Sequence, residues 1–212
     1  MRSIALQNEH YYHIYNRGVD KRNIFLDNND YLRFLISLRE FNNINPTGGL
    51  INYQPLRGHD LLEVKPLITL ICYALLPNHY HVLIEQKIDN GISLFMGKLG
   101  NSYTQYFNNR YNRSGSLFQG TFKATEIKSD GQLQRTSCYI NGNAEIHDIT
   151  KAKNWPWSSY LDYLNLRKGN LCNKNIILKQ FKNTREYEEL TNKIINDSKQ
   201  QKSELKNFLL EK

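Results

Sequence analysis

The chain has 212 residues, 40% of them apolar and 23% charged, enough for one domain with an appendage or two small ones and ordinary for a soluble globular protein. No run of about eighteen apolar residues exists to cross a membrane, and Met1–His10 lacks the apolar stretch of a signal peptide. The net charge of +8 favours a polyanionic partner, while three widely spaced cysteines, Cys72, Cys138 and Cys172, fit reduced thiols in a cytosol and no zinc knuckle.

In chain order, His10–Tyr15 is aromatic and β-branched and predicts a strand, with a turn at Asn16-Arg17-Gly18. Asn28 or Asn29 is expected to cap a helix reaching about Phe41, since Tyr31, Phe34, Leu35 and Leu38 recur at helical spacing. Residues 42–66, with three prolines and three glycines, read as a long loop or small insertion. Leu67–Leu76 is almost continuously apolar, as a strand buried on both faces would be; Pro77-Asn78 turns the chain into a second strand over His79–Gln86. Ile92, Phe95, Met96, Leu99, Tyr103 and Phe107 then mark a helix, and Phe122–Ile127 a further strand.

Ser129-Asp130-Gly131-Gln132 has the capping-box spacing and opens a helix with Leu133, Thr136 and Ile140 facing inward. The order β-α-β-β-α-β-α predicts an α+β sandwich on an antiparallel sheet. Beyond Leu164 the composition shifts to Lys, Asn and Glu, with helical patterns at Tyr187, Leu190, Ile194 and at Leu205, Phe208, Leu209. The expected division is a catalytic domain over 1–165 and a helical extension over 166–212.

Three groups of residues carry chemistry. In a strand, His79 and His81 project from one face and Tyr80 from the other, so the two imidazoles make half of a metal site; alone, such a pair arises readily by chance. On the helix after the capping box, Arg135, Tyr139 and Asn143 share one stripe, placing a guanidinium, a phenol and an amide together; alone, Tyr139 reads as a surface tyrosine. Between Lys98 and Lys128, five basic residues, Arg110, Arg113 and Lys123 among them, meet one acid, Glu126, and alternate with Tyr103, Tyr106, Phe107, Tyr111, Phe118 and Phe122. Cations for phosphates beside flat rings for unstacked bases suit single-stranded nucleic acid. Arg17, beside Gly18, is a further phosphate-contact candidate. Together the pieces fit one reaction, attack on phosphorus by a phenol that metal binding makes effective. His10, His13, His59 and His147 have no spacing partner, and Trp155 with Trp157 reads as a hydrophobic clasp.

These residues fall in a known pattern. The segments His13–Gly18, Leu75–Glu85, Tyr103–Asn108, Gly115–Lys123, Tyr139–Asn143 and Trp155–Tyr160 resemble, in order, those of the REP-associated tyrosine transposases, a branch of the single-tyrosine HUH transposases, over roughly residues 8 to 165. The resemblance implies a ferredoxin-like sheet with the histidines on a central strand. It implies His79, His81 and Asn143 as ligands of a divalent metal, Mg2+ or Mn2+, and Tyr139 as nucleophile. It implies single-stranded or hairpin DNA as substrate, cleaved and rejoined through a 5′-phosphotyrosine intermediate. A cytoplasmic, nucleoid-associated enzyme, homodimer or monomer, is the expectation. The alternative is a catalytically silent, domesticated nucleic-acid-binding relative; a structural zinc protein fits poorly without paired cysteines. Gly142 and Ala144 stand where the family often has Leu and Pro. A helical glycine costs about 1 kcal/mol relative to alanine, which predicts a loosened hold on Asn143.

Overall fold

Strands form where the apolar runs lie, and turn chemistry joins them. A computed structural model describes residues 5–44 and 65–210, with side chains to residue 204. The strands are Tyr11–Arg17 (β1), Ile68–Leu76 (β2), His79–Gln86 (β3) and Lys123–Ile127 (β4). They make one sheet in the order β2-β3-β1-β4. β3 runs against β2 across the two-residue turn. It also runs against β1, since Gln86 N–H donates to His10 O at one end and Gly18 N–H to Asn78 O at the other. An antiparallel bridge between Gly18 and Phe118 leads into the pairing of β1 with β4. Helix Asn28–Glu40 (α1) joins β1 to β2, Gly91–Arg110 (α2) joins β3 to β4, and Asp130–Asn141 (α3) follows β4. This is the antiparallel α+β arrangement that the element order predicts, in the ferredoxin-like form that the resemblance implies.

Local departures have local causes. β1 continues through Arg17 instead of turning at Asn16. The Asn16 side chain is buried, donates to Gly120 O at 3.1 Å and accepts the Arg17 N–H at 2.8 Å, while Arg17 O accepts from Gln119 N–H. The α1 cap is Asp27, whose carboxylate accepts the amides of Asn29 and Asp30. Most of the long loop expected over 42–66, namely 45–64, and His59 with it, lies outside the described residues.

Two compact units are interleaved along the chain. The first includes β1, α1, α2 and nearly all of β4. Its core is aromatic: Phe34 packs edge-on to Tyr103 at 4.9 Å and beside Tyr80 of β3 at 5.0 Å. Each such ring contributes about 1.5–3 kcal/mol by burial. The second includes most of β2, α3 and the rest of the chain, with short helices Asn143–Ile146 (α4), Tyr160–Tyr163 (α5) and Asn175–Leu178 (α6), and the long helix Thr184–Leu210 (α7). Here Trp157–Ser159 lies along β2: Leu75 N–H donates to Trp157 O, Ser159 N–H to Tyr73 O, and Trp155 Nε1–H to Leu75 O. The half-buried tryptophans, expected as a hydrophobic clasp, belong to a segment held to β2 by hydrogen bonds. Among the described residues no helix is long and apolar enough to cross a membrane.

Candidate active site

The turn before β3 prepares His79. Its Nδ1 lies 2.6 Å from Asn78 Oδ1, and the orientation of that amide is set by Asn78 Nδ2 donating to Lys21 O at 3.1 Å. Against a carbonyl oxygen Nδ1 must carry the proton, which leaves the lone pair on Nε2, the state in which an imidazole ligates a metal. The same turn is held by the end of the first motif and the segment that follows it. Pro77 O accepts from Ile24 N–H at 2.7 Å and Phe25 N–H at 3.0 Å, and Asn78 O from Gly18 N–H at 2.9 Å. A Cβ at Gly18 would sit 2.3 Å from Arg22 O, so only glycine allows the backbone this close. The role of Asn78 was not read from the sequence; its place directly before His79, in a Pro-Asn turn, was the available signal.

His81 follows two residues on and is buried at 8% exposure. Its ring meets that of Tyr139 edge to face, with centroids 6.1 Å apart. The sequence pattern thus brings one histidine and the tyrosine together, 58 positions apart in the chain. Ser129 caps α3 by accepting Gln132 N–H, as the capping-box spacing predicts, and Leu133 and Ile140 seat the helix inward; Thr136 is only half-buried. The helix ends at Asn141, however, so Asn143 does not continue α3 but opens α4 across Gly142. Asn143 is completely buried, and neither its Oδ1 nor its Nδ2 has a hydrogen-bond partner. A buried amide left so costs about 1–3 kcal/mol, and it is a donor set suited to a hard cation. Among the described residues no three His, Cys, Asp or Glu side chains gather as a metal cluster. A cation held by the two histidines would therefore need an amide or substrate oxygen to complete its shell.

The predicted cations divide. Arg17, Lys123 and Arg135 are exposed. Arg110 is instead bound to acid, with Nη2 on Asp27 Oδ2 at 2.5 Å and Nη1 on Asp30 Oδ1 at 3.1 Å. Arg113 is taken up by its own loop, donating to Asn108 Oδ1 at 2.7 Å and to Gly115 O and Ser116 O. Interleaving with aromatics in sequence did not distinguish these two structural arginines from free ones. His10 bonds Glu126 at 2.8 Å.

Known proteins share parts of this arrangement. Residues 64–143 match the family model "Transposase IS200 like". No curated protein sequence matches the chain. Among solved structures, a REP-associated tyrosine transposase bound to a REP hairpin superposes with a TM-score of 0.53 at 12% identity, covering 81% of this chain and 88% of that one. The tRNA(His) guanylyltransferase of Saccharomyces cerevisiae overlaps at 8% identity over 92% and 80% of the two chains; its TM-score of 0.38 carries no weight. Residues 64–143, which include both histidines, Tyr139 and Asn143, are thus similar to the IS200-like transposase model, and the fold is similar to that of a REP-associated tyrosine transposase.

Proposed function

We propose that this protein cleaves and rejoins single-stranded DNA at hairpin-associated sites, through a 5′-phosphotyrosine intermediate on Tyr139. One observation carries the reading: the Tyr139 ring lies against that of His81, 6.1 Å between centroids, next to a metal-compatible histidine pair. Tyr139 oxygen attacks phosphorus; the O–P bond forms, the bond from phosphorus to the 3′ oxygen breaks, and that oxygen takes up a proton as the phenol gives one up. Reversal of the step by a second 3′-hydroxyl rejoins the strand, because the phosphotyrosine keeps the energy of the original diester. A divalent cation, Mg2+ or Mn2+, held by His79, His81 and Asn143 would bind a phosphate oxygen, make phosphorus more electrophilic and stabilise the developing charge. Asn78 supports this ligand set by fixing the His79 tautomer. Arg17, Lys123 and Arg135 are the exposed cations that would contact DNA phosphates, in a cytoplasmic, nucleoid-associated setting.

A hairpin-bearing single strand incubated with the protein and Mn2+ tests this. The expected product is a protein–DNA adduct that survives denaturing electrophoresis and is lost on chelation. Tyr139→Phe should lower its formation on the order of 10³-fold or more while hairpin affinity stays within about twofold. Undiminished adduct in that variant defeats the assignment of Tyr139. Hairpin binding with no adduct in either metal would assign the chain a binding role alone.

A further inference from the structure

The nucleophile and Asn143 lie on opposite sides of a one-residue joint, Gly142, between α3 and α4. A glycine joint is intrinsically free, yet here it is closed from outside. Asn141 Nδ2 donates to the hydroxyl of Tyr187 in α7 at 2.8 Å, and Tyr187 is completely buried. Asn141 Oδ1 accepts from Ser159 Oγ at 2.7 Å; Ser159 Oγ in turn accepts the Tyr73 N–H of β2 at 3.0 Å. A Cβ on Gly142 would fall 2.6 Å from Ile195 Cγ1 of α7, so α7 occupies the space that a side chain there would need. At the far end of α4, Lys202 Nζ donates to Ile146 O at 3.0 Å. None of these contacts is made by Tyr139 or Asn143 themselves. They fix the backbone on which both are carried, with directional hydrogen bonds that specify one arrangement of the helices.

We infer that α7 is a positioning clamp for the nucleophile: Tyr187 and Ile195, acting through Asn141 and Gly142, hold Tyr139 in register with Asn143. The inference rests on the transposase reading of Tyr139. It makes the region beyond residue 165 part of the catalytic apparatus instead of an accessory tail.

The test uses the full chain. Tyr187→Phe removes one hydroxyl; single-turnover adduct formation on the hairpin strand with Mn2+ should slow about tenfold to a hundredfold, the range expected for a misplaced reacting group, while hairpin affinity stays within about twofold. Gly142→Ala should slow adduct formation likewise. Ile195→Ala in the Gly142→Ala background, which clears the clash, should restore the rate to within about threefold of wild type. A wild-type rate in both Tyr187→Phe and Gly142→Ala overturns the clamp, as does a fall in rate matched by an equal fall in affinity. If the wild type itself forms no adduct, the transposase reading fails, and hydrogen exchange then decides the clamp. The Gly142 amide, bonded to Cys138 O, should exchange at least about tenfold faster in Tyr187→Phe with α2 unchanged. Unchanged exchange there overturns it.

Discussion

The side chains of Asp30 and Asn143 are both polar and completely buried, and they are treated in opposite ways. Asp30 in α1 accepts from Leu26 N–H at 2.8 Å, the Tyr106 and Tyr111 hydroxyls at 3.0 and 2.8 Å, and Arg110 at 3.1 Å. The side-chain amide of Asn143 in α4 accepts from nothing and donates to nothing. A satisfied buried carboxylate with an arginine beside it holds structure together. A buried amide with both ends open costs stability, and proteins tolerate such costs chiefly at functional sites. The difference ties Arg110, Tyr106 and Tyr111, although basic and aromatic in the sequence, to the fold, and leaves the Asn143 amide without a structural partner, as the proposed metal ligand would be.

The largest expected effect is at the metal. Replacing His79 and His81 together by Ala should abolish Mn2+ binding in calorimetric titration with the circular dichroism spectrum retained; full affinity in the folded double variant would remove the proposed partner of Asn143. Next come stabilities of opposite sign. Asp30→Ala should cost about 3 kcal/mol in urea denaturation, since Arg110 and two hydroxyls lose their acceptor. Asn143→Leu, of similar volume, should leave stability unchanged or raise it by about 1 kcal/mol while metal-dependent adduct formation is lost. Equal losses in the two variants would break the comparison. A smaller, pH-dependent effect is expected at His13, whose imidazole burial pushes down to about 4 from its ordinary 6.5. The unfolded chain takes up that proton first, so the contribution is whole above pH 6.5 and is lost as pH falls toward 4. The denaturation midpoint of wild type relative to His13→Gln should fall over that window and be flat above it. The smallest effect concerns charge. Lys123→Ala should reduce the slope of log affinity against log salt by about one unit. Arg110→Ala should leave that slope near wild type and lower stability instead, because its charge is already paired with Asp27 and Asp30.

Much of this was legible in the residues. The alternating and continuous apolar runs predicted every strand of the sheet, β3 to the residue, and the six apolar positions from Ile92 to Phe107 are all buried along α2. The histidine pair and the capping box located His81 and Tyr139, because strand and helix periods are local rules. What was not legible depended on contacts between segments distant in sequence. Asn16 looked like a turn residue until its buried pairing with Gly120 held it in the strand. Gly142 looked like a weak point, and its lock, Ile195, lies 53 positions away with no pattern to link the two. Likewise the α7 stripe at Tyr187 and Ile194 announced an amphipathic helix but not that the Tyr187 hydroxyl would reach Asn141.

The segment Trp157–Ser159 bears on how copies of the chain meet. β2 is an outer strand of the sheet, and an outer strand with open amides and carbonyls invites a strand from another molecule. Here Tyr73 and Leu75 are already engaged by Ser159 and Trp157, and the indole of Trp155 adds a third bond to Leu75. An incoming strand would have to strip all of these away. The opposite border, β4, is only five residues long and carries exposed Lys123 and Thr125. Extension of the sheet from one copy into another is therefore disfavoured at both borders, so two copies that associate would meet through side-chain surfaces and not through a shared sheet.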